Sequence, residues 1–206
     1  MRVSTILDSI DMANMALPEF QRGYVWNRKQ VRGLMQSLYK RYPVGSLLVW
    51  TTEGQTTAMR GEAPGSGRVV KLLLDGQQRI TSLYGIMRGH APRFFQGSAS
   101  AFTDLYFDLR SETFEFYGPV KMRDDPLWVN VSELFKTELQ PWFTKMSELE
   151  VDGETQALYL ARLNLILGIR DIDLPLEEIT GADKSLDDVV DIFNRVNSGG
   201  TKLSQG

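Results

Sequence analysis

Val69-Val70-Lys71-Leu72-Leu73-Leu74-Asp75-Gly76-Gln77-Gln78-Arg79-Ile80-Thr81-Ser82-Leu83 joins two apolar patterns of different period. Its apolar first half reads as a buried strand. It breaks at Asp75-Gly76 and passes at once into a helical pattern, with Ile80, Leu83, Tyr84 and Met87 spaced i, i+3, i+4, i+7. Gln77, Gln78 and Arg79 therefore fall on the first turn of a helix that follows a strand. A helix start presents unpaired backbone N–H groups and a partial positive charge, a seat for an anion such as phosphate. In that reading Gly76 lets a ligand approach the backbone, and Arg79 supplies a forked cation. Asp75 caps the helix or holds a metal or a hydroxyl. An ordinary strand-to-helix turn accounts for the same residues, with Gly76 for backbone freedom, Asp75 as cap and the glutamines in solvent.

On the N-terminal side, Ser4 is read as the cap of a short opening helix carrying Ile6, Leu7 and Ile10, and Leu17-Pro18 as extended chain. The loop Gln21-Arg22-Gly23-Tyr24-Val25-Trp26 leads to Asn27, an N-cap for a helix with Val31, Leu34, Met35 and Leu38 inward. In that loop, Tyr24 and Trp26 are expected to anchor the core, while Gln21 and Arg22 are site candidates. Leu47 to Thr51 reads as a strand, and residues 52–67 as a mobile loop. The only acid between Pro18 and Gly45 is Glu19, against Arg22, Arg28, Lys29, Arg32, Lys40 and Arg41. This basic face, Arg22–Arg41, suits DNA backbone or nucleotide phosphate; a solvated face with paired charges is the plainer reading.

Beyond the central helix, which should end near Gly89, Phe102–Leu109 and Phe114–Phe116 alternate as a hairpin. Pro119 to Pro126 reads as a loop, Leu127 to Val131 as a strand, and Ser132 as the cap of a short helix. Residues 154–167 are apolar around most of the circumference, which predicts a largely buried helix. Leu174 to Ile179 reads as a strand. Ser185 is the expected cap of a last helix, which runs into Asn194-Arg195-Val196-Asn197-Ser198-Gly199-Gly200. A helix end needs one glycine; the surplus of amides and hydroxyls here suggests a second wall of a polar site.

Composition removes several alternatives. The absence of cysteine excludes disulfides and thiolate metal sites. The single histidine, His90, excludes multi-histidine metal centres, and its place beside Ala91-Pro92 argues for a surface residue. No Walker A pattern occurs. With no long apolar run and no signal-like N-terminus, the expectation is a soluble, cytoplasmic protein.

Taken together, Leu17 to Trp26, Leu74 to Arg79 and Phe193 to Ser204 resemble the N-terminal module of GmrS/GmrD-type, modification-dependent restriction proteins. The resemblance implies an α+β, ParB/sulfiredoxin-like fold: a mixed sheet with flanking helices and a β-hairpin/helical insertion. It implies a nucleotide-binding core over residues 1–95, the insertion over 96–180, and a helix and Asn-Ser-Gly-Gly loop over 181–206 returning to the site. In this family a strand–Gly-x-x-Arg–helix unit is associated with NTP binding and hydrolysis. That activity is coupled to cleavage of modified DNA by a C-terminal His-Asn-His-type nuclease domain. Carried over, Asp75, Gln78 and Arg79 would be catalytic. Gln21, Arg22, Gly76, Gln77, Gln78, Arg79, Asn194, Arg195, Asn197, Gly199 and Gly200 would bind the nucleotide, and Asp75 a magnesium ion. The chain is expected to continue past Gly206 into the nuclease domain, so residues 1–206 alone are not expected to cut DNA. A non-enzymatic module that binds DNA and senses its modification stays open beside the NTPase.

Overall fold

A computed structural model describes residues 1–18, 23–53, 59–60, 69–95, 97–180 and 185–198. The first half runs α1 (Val3–Asp11), β1 (Met15–Pro18), α2 (Arg28–Tyr39), β2 (Leu47–Glu53), β3 (Met59–Arg60), β4 (Val69–Asp75) and α3 (Gln77–Arg88). The second half runs β5 (Leu105–Asp108), β6 (Thr113–Phe116), α4 (Pro119–Met122), β7 (Trp128–Asn130), α5 (Val131–Thr137), α6 (Gln140–Ser147), α7 (Gly153–Leu167), β8 (Leu176–Ile179) and α8 (Leu186–Ser198). The class is α+β. None of these helices is long and apolar enough to cross a membrane.

Five strands form a mixed sheet in the order β3-β1-β4-β2-β8. β4 runs parallel to β1 and antiparallel to β2, and β8 runs parallel to β2. The two-residue period of a strand sends β4 side chains to both faces. Leu73 joins Leu47 and Val49 against the α1–α3 side. Val70, Leu72 and Leu74 join Leu48 and Trp50 against Val189, Ile192 and Phe193 of α8. A strand covered on both faces must be apolar at nearly every position, which is why 69–74 reads as a continuous run.

The second sheet, β6-β5-β7, is antiparallel. It turns Leu105, Phe107, Phe114 and Val129 into the same core as α2 and α3. Tyr39 of α2 packs on Phe107 and Phe114 with ring centroids 5.0 and 6.0 Å away. Its hydroxyl donates to Glu112 Oε2 at 2.6 Å, and Arg162 of α7 holds the other oxygen of Glu112 at 2.8 Å. The hairpin is thereby locked to helices on either side of it.

Several sequence expectations hold locally. Asn27 caps α2 through a full capping box with Gln30. Ser185 Oγ accepts from the Asp188 backbone N–H while the Asp188 side chain takes the Ser185 N–H. α3 ends at Gly89, in the left-handed region at φ 74°. Others need correction. α1 starts at Val3 with Arg2 at the cap, so Ser4 lies inside the first turn. Asn130, not Ser132, caps α5, because its Oδ1 reaches the Glu133 N–H at 3.0 Å. Pro119 opens a one-turn helix where a loop was expected, in keeping with proline's preference for the first helical position. β2 extends to Glu53, and Met59–Arg60 pairs with β1, so part of 52–67 is strand. α7 buries only Tyr159, Leu163, Ile166 and Leu167, leaving Leu158 and Leu165 outward.

At the end of the sheet remote from Asp75, the Tyr84 hydroxyl donates to Asp11 Oδ1 at 2.5 Å, and Arg88 bridges Asp8 and Asp11. Burial, followed by the hydrogen bond and charge of Asp11, pushes the Tyr84 phenol up to about 12. A phenol whose folded pKa lies above its ordinary 10 stabilises the fold fully below pH 10. That contribution is lost as pH rises through 12. Unfolding free energy from urea melts should therefore fall between pH 10 and pH 12, and the fall should be shallower in Tyr84→Phe. An identical slope in the variant would contradict the assignment.

Candidate functional site

The turn between β4 and α3 is built around two glycines with positive φ. Gly76, at φ +90°, precedes the helix, and a Cβ there would lie 2.3 Å from Leu47 Cδ2 and 3.1 Å from Arg79 Nη2. Gly45, at φ +87° just before β2, would place a Cβ 2.8 Å from Arg79 Nη1. Both glycines are needed for the left-handed backbone and for the space that Arg79 fills.

Arg79 spends its fork on the protein. Nη1 donates to the Val44 carbonyl at 2.5 Å, and Nη2 donates to the Ser46 carbonyl at 2.7 Å. Nη2 also meets Asp75 Oδ2 at 3.2 Å. The guanidinium is 13% exposed, whereas the Asp75 carboxylate, at 49%, faces solvent. Arg79 thus ties the α2–β2 connection to the helix start and fixes a full positive charge beneath it.

Gln78 is equally committed. Its Oε1 accepts the backbone N–H groups of Val25 and Trp26 at 2.8 and 3.2 Å, and its Nε2 donates to the Gly23 carbonyl at 3.2 Å. One turn on, the buried Ser82 hydroxyl donates to the Gln78 carbonyl at 2.7 Å and pairs with the Tyr24 hydroxyl at 2.8 Å. Tyr24 also packs on Phe95 and Phe102, as expected of a core anchor. Burial raises the Tyr24 phenol pKa, only partly offset by Ser82. Gln77 is buried too. The polar first turn of α3 therefore docks two distant segments, Gly23–Trp26 and Val44–Ser46. Among the described residues no side chain caps its start.

Asn194 and Arg195 are exposed on α8, which packs on the face of the sheet opposite α3. Arg195 Nη2 pairs with Asp191 at 2.6 Å. The Asn197 backbone belongs to the same helix. Gln21, Arg22, Gly199 and Gly200 lie outside the described residues, as does the Asn197 side chain. His90 is exposed, with Nδ1 3.0 Å from the Ala91 carbonyl. On the basic face, Arg28 donates to the Ser100 carbonyl and lies over the Phe116 ring, and Arg41 reaches the Gly168 carbonyl. These two cations pin α2 to the rest of the fold. Lys29, Arg32 and Lys40 are exposed along the same helix.

Sequence reasoning missed the Val44–Ser46 carbonyls as partners of the central motif. The available signal was Gly45 itself, a glycine set directly before a buried strand.

The family described as GmrSD restriction endonuclease, N-terminal domain, matches residues 3–206. A protein of Methanocaldococcus jannaschii described as uncharacterized protein MJ0686 is 33% identical over an alignment 92 positions long, which covers 38% of this chain and 16% of that protein. The chain thus matches well under two thirds of that relative's length.

Proposed function

The chain belongs to the GmrSD restriction endonuclease N-terminal domain family, and from that premise we propose that it binds and hydrolyses a nucleoside triphosphate to govern DNA cleavage by an associated nuclease domain. The observation that carries this reading is the start of α3. Among the described residues it has no side-chain cap, it is framed by Gly76 and Gly45, and the Arg79 guanidinium lies beneath it. Backbone amides and the helix dipole then favour a phosphate there.

In this proposal the amides of Gln77, Gln78 and Arg79 take phosphate oxygens, and the Arg79 charge deepens the local positive potential. Asp75, half-exposed at the mouth of the turn, orients the attacking water. That water adds to the terminal phosphorus as the bond to the β–γ bridging oxygen breaks; the nucleoside diphosphate leaves with that oxygen, and the water's proton passes to a phosphate oxygen. Arg22 and Arg195 are the proposed cations for the charge that develops, and Gln21, Asn194, Asn197, Gly199 and Gly200 the proposed outer wall. The Gln78 side chain contributes through the loop it holds, since its carboxamide is committed to Gly23–Trp26. Such catalysis is mostly positioning and electrostatics.

Magnesium fits this site in one way. Among the described residues no group of three potential ligands surrounds Asp75, so the ion would arrive with the nucleotide and take one carboxylate oxygen. That matches the habit of magnesium of keeping water and phosphate ligands. It would neutralise phosphate charge.

Thermal melts with a panel of NTPs, with and without magnesium, test the binding. At a hundredfold excess over Kd the stabilisation should reach about 2.7 kcal/mol. Asp75→Asn should keep the fold and lose phosphate release. No shift with any NTP, or unchanged release in Asp75→Asn, overturns the reading.

A second reading, contact with DNA backbone, is favoured by the cleft of about 400 Å³ between α2 and β6, which Lys29, Arg32, Gln36, Thr113 and Glu115 line. Duplex binding that weakens with salt and with paired Lys29→Ala and Arg32→Ala changes is its signature.

A further inference from the structure

A second cleft, of about 450 Å³, lies on the outer side of the β6-β5-β7 sheet, where α6 folds over β7. Its walls include Tyr106, Trp128, Trp142, Asn130, Glu133 and Lys145. The alternation of the strands explains the placing. Phe107 and Val129 point into the core, so Tyr106 and Trp128 point away from it. Tyr106 is half-buried, and Trp128, 6% exposed, lies beneath Lys121 and outside the two main clusters. Tyr117 extends the aromatic strip, its ring 5.4 Å from Tyr106 and tilted 39°.

Two ammonium groups sit over the indoles. Lys145 Nζ is 4.1 Å from the Trp142 ring centre, and Lys121 Nζ is 4.6 Å from that of Trp128. Both lysines are exposed, at 46% and 56%, so their flexible stems can swing aside. Among the described residues, Lys145 Nζ has Glu133 as its ion-pair partner at 3.9 Å, and Lys121 Nζ donates to Glu115 Oε1 at 3.0 Å. The Trp142 indole Nε1 is buried without an acceptor among the described residues, so this wall carries an unmet donor.

We propose that this cleft binds an unstacked nucleobase of a single-stranded nucleic-acid segment. The ring would stack on Tyr106 and Trp128, and Lys121 and Lys145 would turn from the indoles to the flanking phosphates. Aromatic faces with lysines at their rim take bases irrespective of sequence, because every base has a π face. The edge carries a preference. The Glu133 carboxylate accepts from an exocyclic amino group, as carboxylates do from cytosine, so amino-bearing bases are taken over thymine. The site shares no lining residue with Asp75–Arg79 or with the Lys29–Arg32 cleft, and its link to the latter is the Lys121–Glu115 bond.

Two of the four tryptophans, Trp128 and Trp142, line the cleft, and Trp26 and Trp50 lie elsewhere. Tryptophan emission of the 206-residue chain, titrated with oligo(dC) of five nucleotides, should be quenched, while an abasic deoxyribose-phosphate oligomer of equal length leaves it unchanged. Tyr106→Ala should raise the quenching midpoint about 5- to 150-fold, the range set by stacking of one base. Lys145→Glu, an exposed change that leaves the fold intact, should raise it and flatten its salt dependence. Asp75→Asn and Arg32→Ala should leave it unmoved. Equal quenching by the abasic oligomer, no quenching by oligo(dC), or a midpoint indifferent to both Tyr106→Ala and Lys145→Glu overturns the proposal. A midpoint lower for oligo(dT) than for oligo(dC) overturns the part assigned to Glu133.

Discussion

Arg79→Ala is expected to destabilise the fold by about 3–5 kcal/mol, in the absence of any ligand. The guanidinium is nearly buried and bonds two carbonyls and a carboxylate. Hydrogen bonds to charged groups contribute about 1.5–3 kcal/mol each, and breaking a buried charged cluster costs about 3–5. Truncation would also leave a void between Gly45 and Gly76, whose missing side chains make room for this one. Arg79→Lys restores the charge but not the planar fork, so it should recover about half of the loss. Equilibrium unfolding in urea measures both. A wild-type midpoint for Arg79→Ala would remove Arg79 as a strut. The contrast with Asp75→Asn is informative, because a half-exposed i,i+4 ion pair contributes less than about 1 kcal/mol. One residue of the motif should cost stability, the other turnover.

Gln78→Leu, of similar volume, should cost about 2–4 kcal/mol and act on one segment. It strips the acceptor from the Val25 and Trp26 N–H groups and the donor from the Gly23 carbonyl. A buried polar group left unmatched costs about 1–3 kcal/mol, reduced here because the loop is half in water. Hydrogen exchange at Val25 and Trp26 should accelerate while the amides of β4 stay protected. Gln78→Glu keeps both acceptor bonds but sets a carboxylate oxygen against the Gly23 carbonyl at a buried position, so it should destabilise as well. Unchanged exchange at Val25 and Trp26 in Gln78→Leu would mean that the loop is held by Tyr24 packing alone.

What the sequence made legible was local. The turn from Leu74 to Ile80, the Asn27 capping box, the stop at Gly89 and the hairpin of Phe107 and Phe114 rest on neighbours within a few residues. Caps chosen by residue type alone went astray. A serine within reach of a helix start competes with any better-placed neighbour, and Asn130 won over Ser132. The one-turn helix at Pro119 was read as a loop because four residues show no periodicity. The outward faces of Leu158 and Leu165 depend on which elements cover α7, which no window of sequence contains. The same limit governs the central motif. Polar side chains on a first helical turn suit solvent, a ligand or another backbone equally well. The carbonyls that Arg79 meets lie 33 and 35 residues away, and the loop that Gln78 holds lies 52 to 55 away.

The strand order β3-β1-β4-β2-β8 bears on how the polypeptide is made. β4 separates β1 from β2, yet it is fourth among the described strands to leave the ribosome. Until residues 69–75 emerge, Met15 to Pro18 and Leu47 to Glu53 have no common partner. A nascent chain of that length exposes two apolar strands with unpaired edges, the kind of species that chaperones bind. Folding is then expected to begin when Leu72 to Leu74 meet Val49 and Trp50, with α3 closing over them, the N-terminal strand adding next, and β8, which pairs with β2 across the longest stretch of chain, adding last.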